Sequence, residues 1–338
     1  MQTSETRYSI STIGKKLYAD RDFELVWQPE LYEKPRLNAF SEEVYGEHYT
    51  MLMLYPPAID SLQDRVQARD VIFVMDISGS MSGTSIDQAK ASLITALDAL
   101  SPVDRFNIIW FNNETGSLFT KTTPASEKYK RYAKLYVEQL QADGGTEMLP
   151  ALKRALYKQE TFSRLRQVIF LTDGNISNEA ELFDVIDTQL GNSRLFTIGI
   201  GSAPNSHFMQ KAAQRGRGTF TYIGDIDEVQ QKTTALFKKL ETPALINLQL
   251  QLDNYHVTDK DDRYEMFPKN IPDLYAGEPL TLFLKGKETP EYISLSGDLD
   301  NTEWQTGVPV NSVTHDGIRI AWARNKIASL MDQHRSAQ

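Results

Sequence analysis

Asp76, Ser78 and Ser80 stand two residues apart in VMDISGSMSG, directly after the apolar run 71–75. A carboxylate and two hydroxyls at alternating positions beyond a buried strand could hold a cation, cradle a phosphate, present a nucleophile or only turn the chain. A phosphate loop needs G-x-x-x-x-G-K-[ST], a glycine-rich loop closed by a lysine. This stretch has neither the lysine nor the spacing. A serine nucleophile on a sharp strand-to-helix turn needs G-x-S-x-G and a histidine partner. No serine between 76 and 84 has glycine two places before and after it, and none of the five histidines lies in the candidate loops.

More oxygen donors leave neighbouring segments. LTDG supplies Thr172 and Asp173 ahead of Gly174; DGGTEM supplies Asp143, Thr146 and Glu147; Asn112 and Asn113 follow another apolar run. An all-oxygen set without histidine or cysteine suits a hard cation, Mg2+ or Ca2+, with Mn2+ as a substitute. Hydroxyl ligands leave such an ion under-neutralised, a Lewis acid able to take a carboxylate from outside. Glu147 either tunes the site or sits favourably in the first turn of its helix. Asp104, in SPVDRF, reads as fixing the turn before a strand.

The elements that must position these groups follow from hydrophobic pattern. Continuous apolar strands are expected at 71–78, 106–112, 167–174, 194–201 and 218–224, alternating with helices at 84–100, 126–141, 147–160, 178–190, 205–215 and 226–241. Strands apolar on both faces imply a parallel sheet covered by helices on each side. With SLFTKTT (117–123) as an antiparallel edge, the expectation is α/β: a doubly wound, mostly parallel six-stranded sheet. Ligands of such sheets bind beyond the carboxyl ends of the strands. Alternating apolar positions return in LINLQLQL, EPLTLFLKG and EYISLSG, and also mark the first 66 residues (FELVWQ, YTMLMLYPP). Domains are therefore expected as 1–66, a β segment; 67–242, the α/β domain; and 243–338, a β-rich segment completing one β-sandwich with the first. A helix is expected for the second half of the terminal IRIAWARNKIASLMDQH.

Composition narrows the function. The 338 residues carry a formal charge of −9 without a long basic run, which argues against nucleic acid and anionic membrane surfaces. With no cysteine, disulfides, thiolate metal sites and cysteine nucleophiles are excluded. No stretch reaches the roughly 18 apolar residues of a transmembrane helix.

DISGSMSG, GGTEM and LTDG, in this order, resemble the metal-ion-dependent adhesion site of von Willebrand factor A domains. That resemblance covers 70–241 and implies that Asp76, Ser78, Ser80, Thr146 and Asp173 bind Mg2+. It implies direct bonds from the two serines and the threonine, and carboxylates acting mainly through water. DRDFELVW, YTMLMLYPP, RLFTIGIGSAPN and GRGTFTYI are similar to inter-alpha-trypsin inhibitor heavy-chain-like proteins, in which a VIT domain precedes the A domain. This implies an excerpt of a longer, exported, bacterial surface protein, with any membrane attachment in regions outside this chain. The implied function is non-enzymatic adhesion: capture of a protein partner, in the matrix or on a cell surface, whose Asp or Glu completes the metal shell. A metal-dependent hydrolase, with Asp143, Glu147 or Glu114 as base, and a mechanical scaffold driven by the last helix of the A domain are the alternatives.

Overall fold

A computed structural model describes residues 34–57, 68–157, 164–174, 178–201, 204–241, 243–253, 255–256, 263–275, 279–299, 302–310 and 316–336, all within the unit Tyr32–Gln338. FELVWQ and most of the segment joining the first β-rich stretch to the α/β part lie outside these residues.

The central sheet is built from β3 (Arg69–Asp76), β4 (Arg105–Phe111), β5 (Thr115–Ser117), β6 (Thr123–Pro124), β7 (Leu165–Thr172), β8 (Arg194–Ile200) and β9 (Phe220–Ile223). Their order is β5-β4-β3-β7-β8-β9, with β6 pairing on β4. β3, β4, β7, β8 and β9 run parallel; β5 and β6 are antiparallel. The sheet thus has seven strands rather than six. The expected edge strand 117–123 is split, because Leu118 and Phe119 turn inward onto the core, and Phe119 stacks edge-on against Phe106.

Every residue of β3, β7 and β8 is buried, as strands covered on both faces must be. Alternation then sorts β3 between two cores. Val71, Phe73 and Met75 join α1 (Thr84–Asp98), α2 (Glu127–Gln139) and α6 (Val229–Glu241). Ile72 and Val74 join α3 (Met148–Leu156), α4 (Glu179–Gln189) and α5 (Ser206–Arg215). Residues 226–228, expected in the last helix, form a 3-10 turn whose entry is capped by Asp225, so α6 begins at Val229.

The flanks form two antiparallel sheets. β1 (Arg36–Val44) and β2 (Glu47–Tyr55), from before the central sheet, pair onward with β14 (Leu280–Gly286) and β12 (Tyr264–Phe267), from after it. β10 (Pro243–Leu252), β11 (Tyr255–His256), β13 (Leu274–Tyr275), β15 (Tyr292–Leu299) and β16 (Thr302–Pro309) make the other sheet. Leu37, Leu52 and Leu54 share one apolar cluster with Leu250, Leu282, Ile293 and Leu295. α7 is helical over all of Ile318–Ser336, earlier than expected. Ile318 and Trp322 dock on Tyr49 and Phe267, and the Glu42 carboxylate accepts from the Arg319 N–H at 2.6 Å, closing the first turn.

The α/β part is locked to the flank at the starting end of its strands. Arg194, at the first position of β8, donates to both carboxylate oxygens of Asp273, next to β13. It also reaches Asn247 Oδ1 at 3.1 Å. Tyr275 enters the core beside α6 and meets Phe196 edge-on with 6.0 Å between ring centroids. The Gln167 side-chain amide donates to the Leu240 carbonyl at the end of α6, 3.0 Å away. Truncating one member of a buried ion pair strands the other charge, at about 3–5 kcal/mol. Asp273→Ala should therefore lower unfolding stability by that order in urea titrations, and Arg194→Met combined with Asp273→Leu should recover most of it.

Candidate metal centre

β3 lies between β4 and β7, and its last residue, Asp76, pairs with Phe111 of β4 while Met75 pairs with Leu171 of β7. The strand order reverses between β3 and β7, so their carboxyl ends open one crevice. Asp76 and Ser78 are fully buried there, Thr146 and Asp173 are half-buried, and Ser80 is exposed.

The local chain explains this arrangement. After Ser78 the backbone makes a single 3-10 turn, Gly79–Met81. Met81 drops fully into the core beside Met75 and Ile77, and that anchor turns Ser80 outward. Ser78 Oγ and Ser80 Oγ come to 3.1 Å. On the facing strand, Gly174 takes a positive φ of 70° directly after Asp173 and folds its N–H back onto Thr172 Oγ1 at 2.8 Å.

Asp76 is held from two sides. Its Oδ1 accepts from the Ser78 N–H at 2.9 Å and its Oδ2 from the Thr172 hydroxyl at 2.6 Å. Burial pushes its carboxyl above the usual carboxylate range; the Ser78 and Thr172 donors pull it back, and the neighbouring Asp173 charge adds to the rise. A buried carboxylate with both oxygens already bonded and a negative neighbour has its charge only partly compensated.

The loop carrying Thr146 is stitched to the Asp76 loop by its backbone. Gly79 N–H donates to Gly144 O and Asp143 N–H to Ile77 O, both at 2.9 Å, and Glu147 N–H donates to Asn112 O at 2.8 Å. Glu147 is exposed at the start of α3. Asn205 ties the third loop: its N–H donates to Asp173 O at 2.8 Å and its amide to Glu179 Oε1 at 2.9 Å. Asp104 stands at the opposite end, where its carboxylate accepts from Arg69 and from the Ser101 N–H. It holds the turn and Arg69, away from the site.

The donor set fits a small hard cation. Ligands about 2.1 Å from Mg2+ in an octahedral shell lie about 3 Å from their neighbours, close to the separation of the two serine oxygens. Among the described residues no three His, Asp or Glu gather closely enough to hold an ion by themselves, so hydroxyls would have to share the task.

Residues 69–222 match the family model described as von Willebrand factor type A domain. Over this stretch the chain is similar to von Willebrand factor type A domains. It is 29% identical over 310 residues to a von Willebrand factor A domain-containing protein of Dictyostelium discoideum, covering 88% of this chain and 36% of that protein. It is 27% identical over 237 residues to von Willebrand factor A domain-containing protein 5B1 of Mus musculus, covering 69% of this chain and 19% of that relative. The chain thus spans about a third or less of the length of these relatives. Among solved structures, the von Willebrand factor type A protein from Catenulispora acidiphila superposes with a TM-score of 0.63 at 19% identity, over 87% of this chain and 76% of that one. The ArnB paralog VWA2 from Sulfolobus acidocaldarius gives 0.54 at 16% identity, over 85% and 78%. At these identities the structures carry the fold alone, a mixed α/β architecture around a largely parallel sheet. The family points in general to protein-interaction and adhesion modules.

Two of the oxygen donors offered by the pattern, neither of them among the five expected metal ligands, take supporting parts: Thr172 donates to Asp76, and the Asn113 side-chain oxygen accepts from the Gly145 N–H. The signal for Thr172 was a polar residue ending a strand otherwise apolar from Val168; Asn113 gave none beyond its place after β4. Thr172→Val keeps the shape and removes the donor, and a buried acceptor left unpaired costs about 1–3 kcal/mol. Chemical denaturation of the cation-free protein should show a loss of that size. Because folding raises the Asp76 pKa, this group's favourable contribution is complete below the ordinary carboxylate pKa of about 3.9 and is lost as pH climbs through the raised value. Asp76→Asn should accordingly melt above the cation-free parent at pH 7, with the gap closing below about pH 4.

Proposed function

We propose that this A domain captures a protein partner through a divalent cation, Mg2+ first and Mn2+ or Ca2+ as substitutes, to which the partner adds an Asp or Glu side chain. Ser78, Ser80 and Thr146 would bond the ion directly, with Asp76 and Asp173 behind them through water. The observation that carries this reading is the pair of serine oxygens 3.1 Å apart in front of a fully buried Asp76 whose own oxygens are already engaged. Neutral ligands at the front and charge at the back leave the ion Lewis-acidic toward the outside.

The site works as a binder rather than as an enzyme. It would act on the cell surface or outside the cell, against a matrix or cell-surface protein, and not on nucleic acid. The setting is an inter-alpha-trypsin inhibitor heavy-chain-like protein of a bacterial surface, a reading supported by DRDFELVW and YTMLMLYPP before the A domain and by RLFTIGIGSAPN and GRGTFTYI within it. The two flanking sheets then serve as one β-sandwich, with segments 1–66 and 243–338 on either side of a domain at 67–242. Their shared leucine-rich cluster supports that division.

Isothermal titration of Mg2+, Mn2+ and Ca2+ into chelator-stripped protein tests the reading. Uptake of one ion per chain, abolished in Asp76→Ala while that variant keeps its circular dichroism spectrum, is expected. Equal uptake by Asp76→Ala would overturn it.

A further inference from the structure

We infer that Asn113 is a positioning residue that sets the size of the cation site, and with it a preference for Mg2+ over Ca2+. The inference rests on the cation-capture reading. Asn113 is exposed in the loop after β4, and its Oδ1 accepts the Gly145 N–H. A Cβ on either Gly144 or Gly145 would lie 2.8 Å from that same oxygen. The two glycines leave room for the asparagine amide beside the backbone just before Thr146; a Cβ at either would push the exposed side chain aside. Gly144 also needs its positive φ of 79°, and a Cβ on Gly79 would meet the Gly144 carbonyl at 3.1 Å.

Among the described residues, the remaining bonds of this loop do not come from outside side chains. Asp143, Gly79 and Glu147 N–H groups pair with backbone carbonyls, and the Gly144 N–H folds onto the loop's own Asp143 side chain at 2.7 Å. Asn113 is therefore a side-chain strut pressing the Thr146 loop toward the Ser78–Ser80 turn. Mg2+ demands near-ideal octahedral bonds at about 2.1 Å, whereas Ca2+ tolerates irregular shells at about 2.3–2.6 Å. Relaxing one wall of the site should penalise the smaller ion more.

The test is cation titration of the full chain for the parent, Asn113→Ala, Asn113→Asp and Asp76→Ala, with hydrogen exchange of the cation-free proteins. Loss of a partner that orients a ligand costs about 10–100-fold in metal affinity. Asn113→Ala should lose at least about tenfold for Mg2+ but less than about threefold for Ca2+, and exchange at 144–147 should quicken. Asn113→Asp keeps the acceptor and should restore the Mg2+/Ca2+ ratio and the protection. Equal losses for both ions, or none, in a parent that binds Mg2+ would overturn this inference and leave the capture reading standing. A parent that takes up no ion overturns both. Unchanged exchange at 144–147 in Asn113→Ala rules out the strut whatever the ions do.

Discussion

The fold is organised around one costly placement, a carboxylate with no solvent exposure at the end of the central strand. An ionised Asp in such a position is tolerated only with donors close at hand. Those donors come from two directions, the Ser78 N–H from the turn that follows and the Thr172 hydroxyl from the neighbouring strand. The second requires β3 and β7 to be adjacent, parallel and in register to within one residue. It also follows that Asp76 cannot meet a partner directly. The polar side chains of the same turn lie next to it, Ser78 Oγ and Ser80 Oγ 3.1 Å apart.

The two ends of the sheet are built differently. At the starting ends of the strands, buried arginines are closed by carboxylates: Arg69 by Asp104 in the α/β part, and Arg194 by Asp273 across to the flank. At the carboxyl ends the joints are glycine backbone, short polar side chains and single hydrogen bonds. Buried Gln88 of α1 illustrates this: its side chain accepts from the Gly201 N–H at 3.1 Å and donates to the Gly224 carbonyl at 3.4 Å, linking the helix after the Asp76 loop to the ends of β8 and β9. The helix α6 is held at its far end, where Tyr275 and Gln167 touch it. Any shift of α6 would therefore pull directly on the flank through β13.

Period and punctuation made much of this architecture legible. Apolar runs such as VIFVM and QVIFLT can only be covered strands, and amphipathic segments between them can only be the covering helices. The edge was less legible, since Leu118 and Phe119 look like strand residues but are taken by core packing. The start of α6 was misplaced because Asp225 caps a 3-10 turn, a local choice that periodicity does not register. α7 begins earlier than expected because IRIAWA alternates its apolar residues and so shows no helical period, while Ile318 and Trp322 one turn apart pack together on Tyr49 and Phe267. Within the candidate site, the oxygen donors could be named from type and spacing. Thr172 and Asn113 act by orientation, toward Asp76 and Gly145, which no linear spacing encodes.

The net charge of −9 bears on how an acidic partner could be held at all. At physiological ionic strength charges are screened beyond about 8 Å, so the chain's overall negativity gives such a partner only weak repulsion at a distance. Close to the crevice the balance depends on the few groups within that radius. A shell dominated by aspartates would cancel a divalent charge and leave a partner carboxylate little to bind. On the proposed reading, two serines and a threonine as direct ligands, with the aspartates acting through water, would preserve a positive centre at short range within an acidic surface. Recognition would then depend on contact rather than on steering: slow to be enhanced by low salt, strongly sensitive to the geometry of a few oxygen atoms, and selective through the loops that surround the ion.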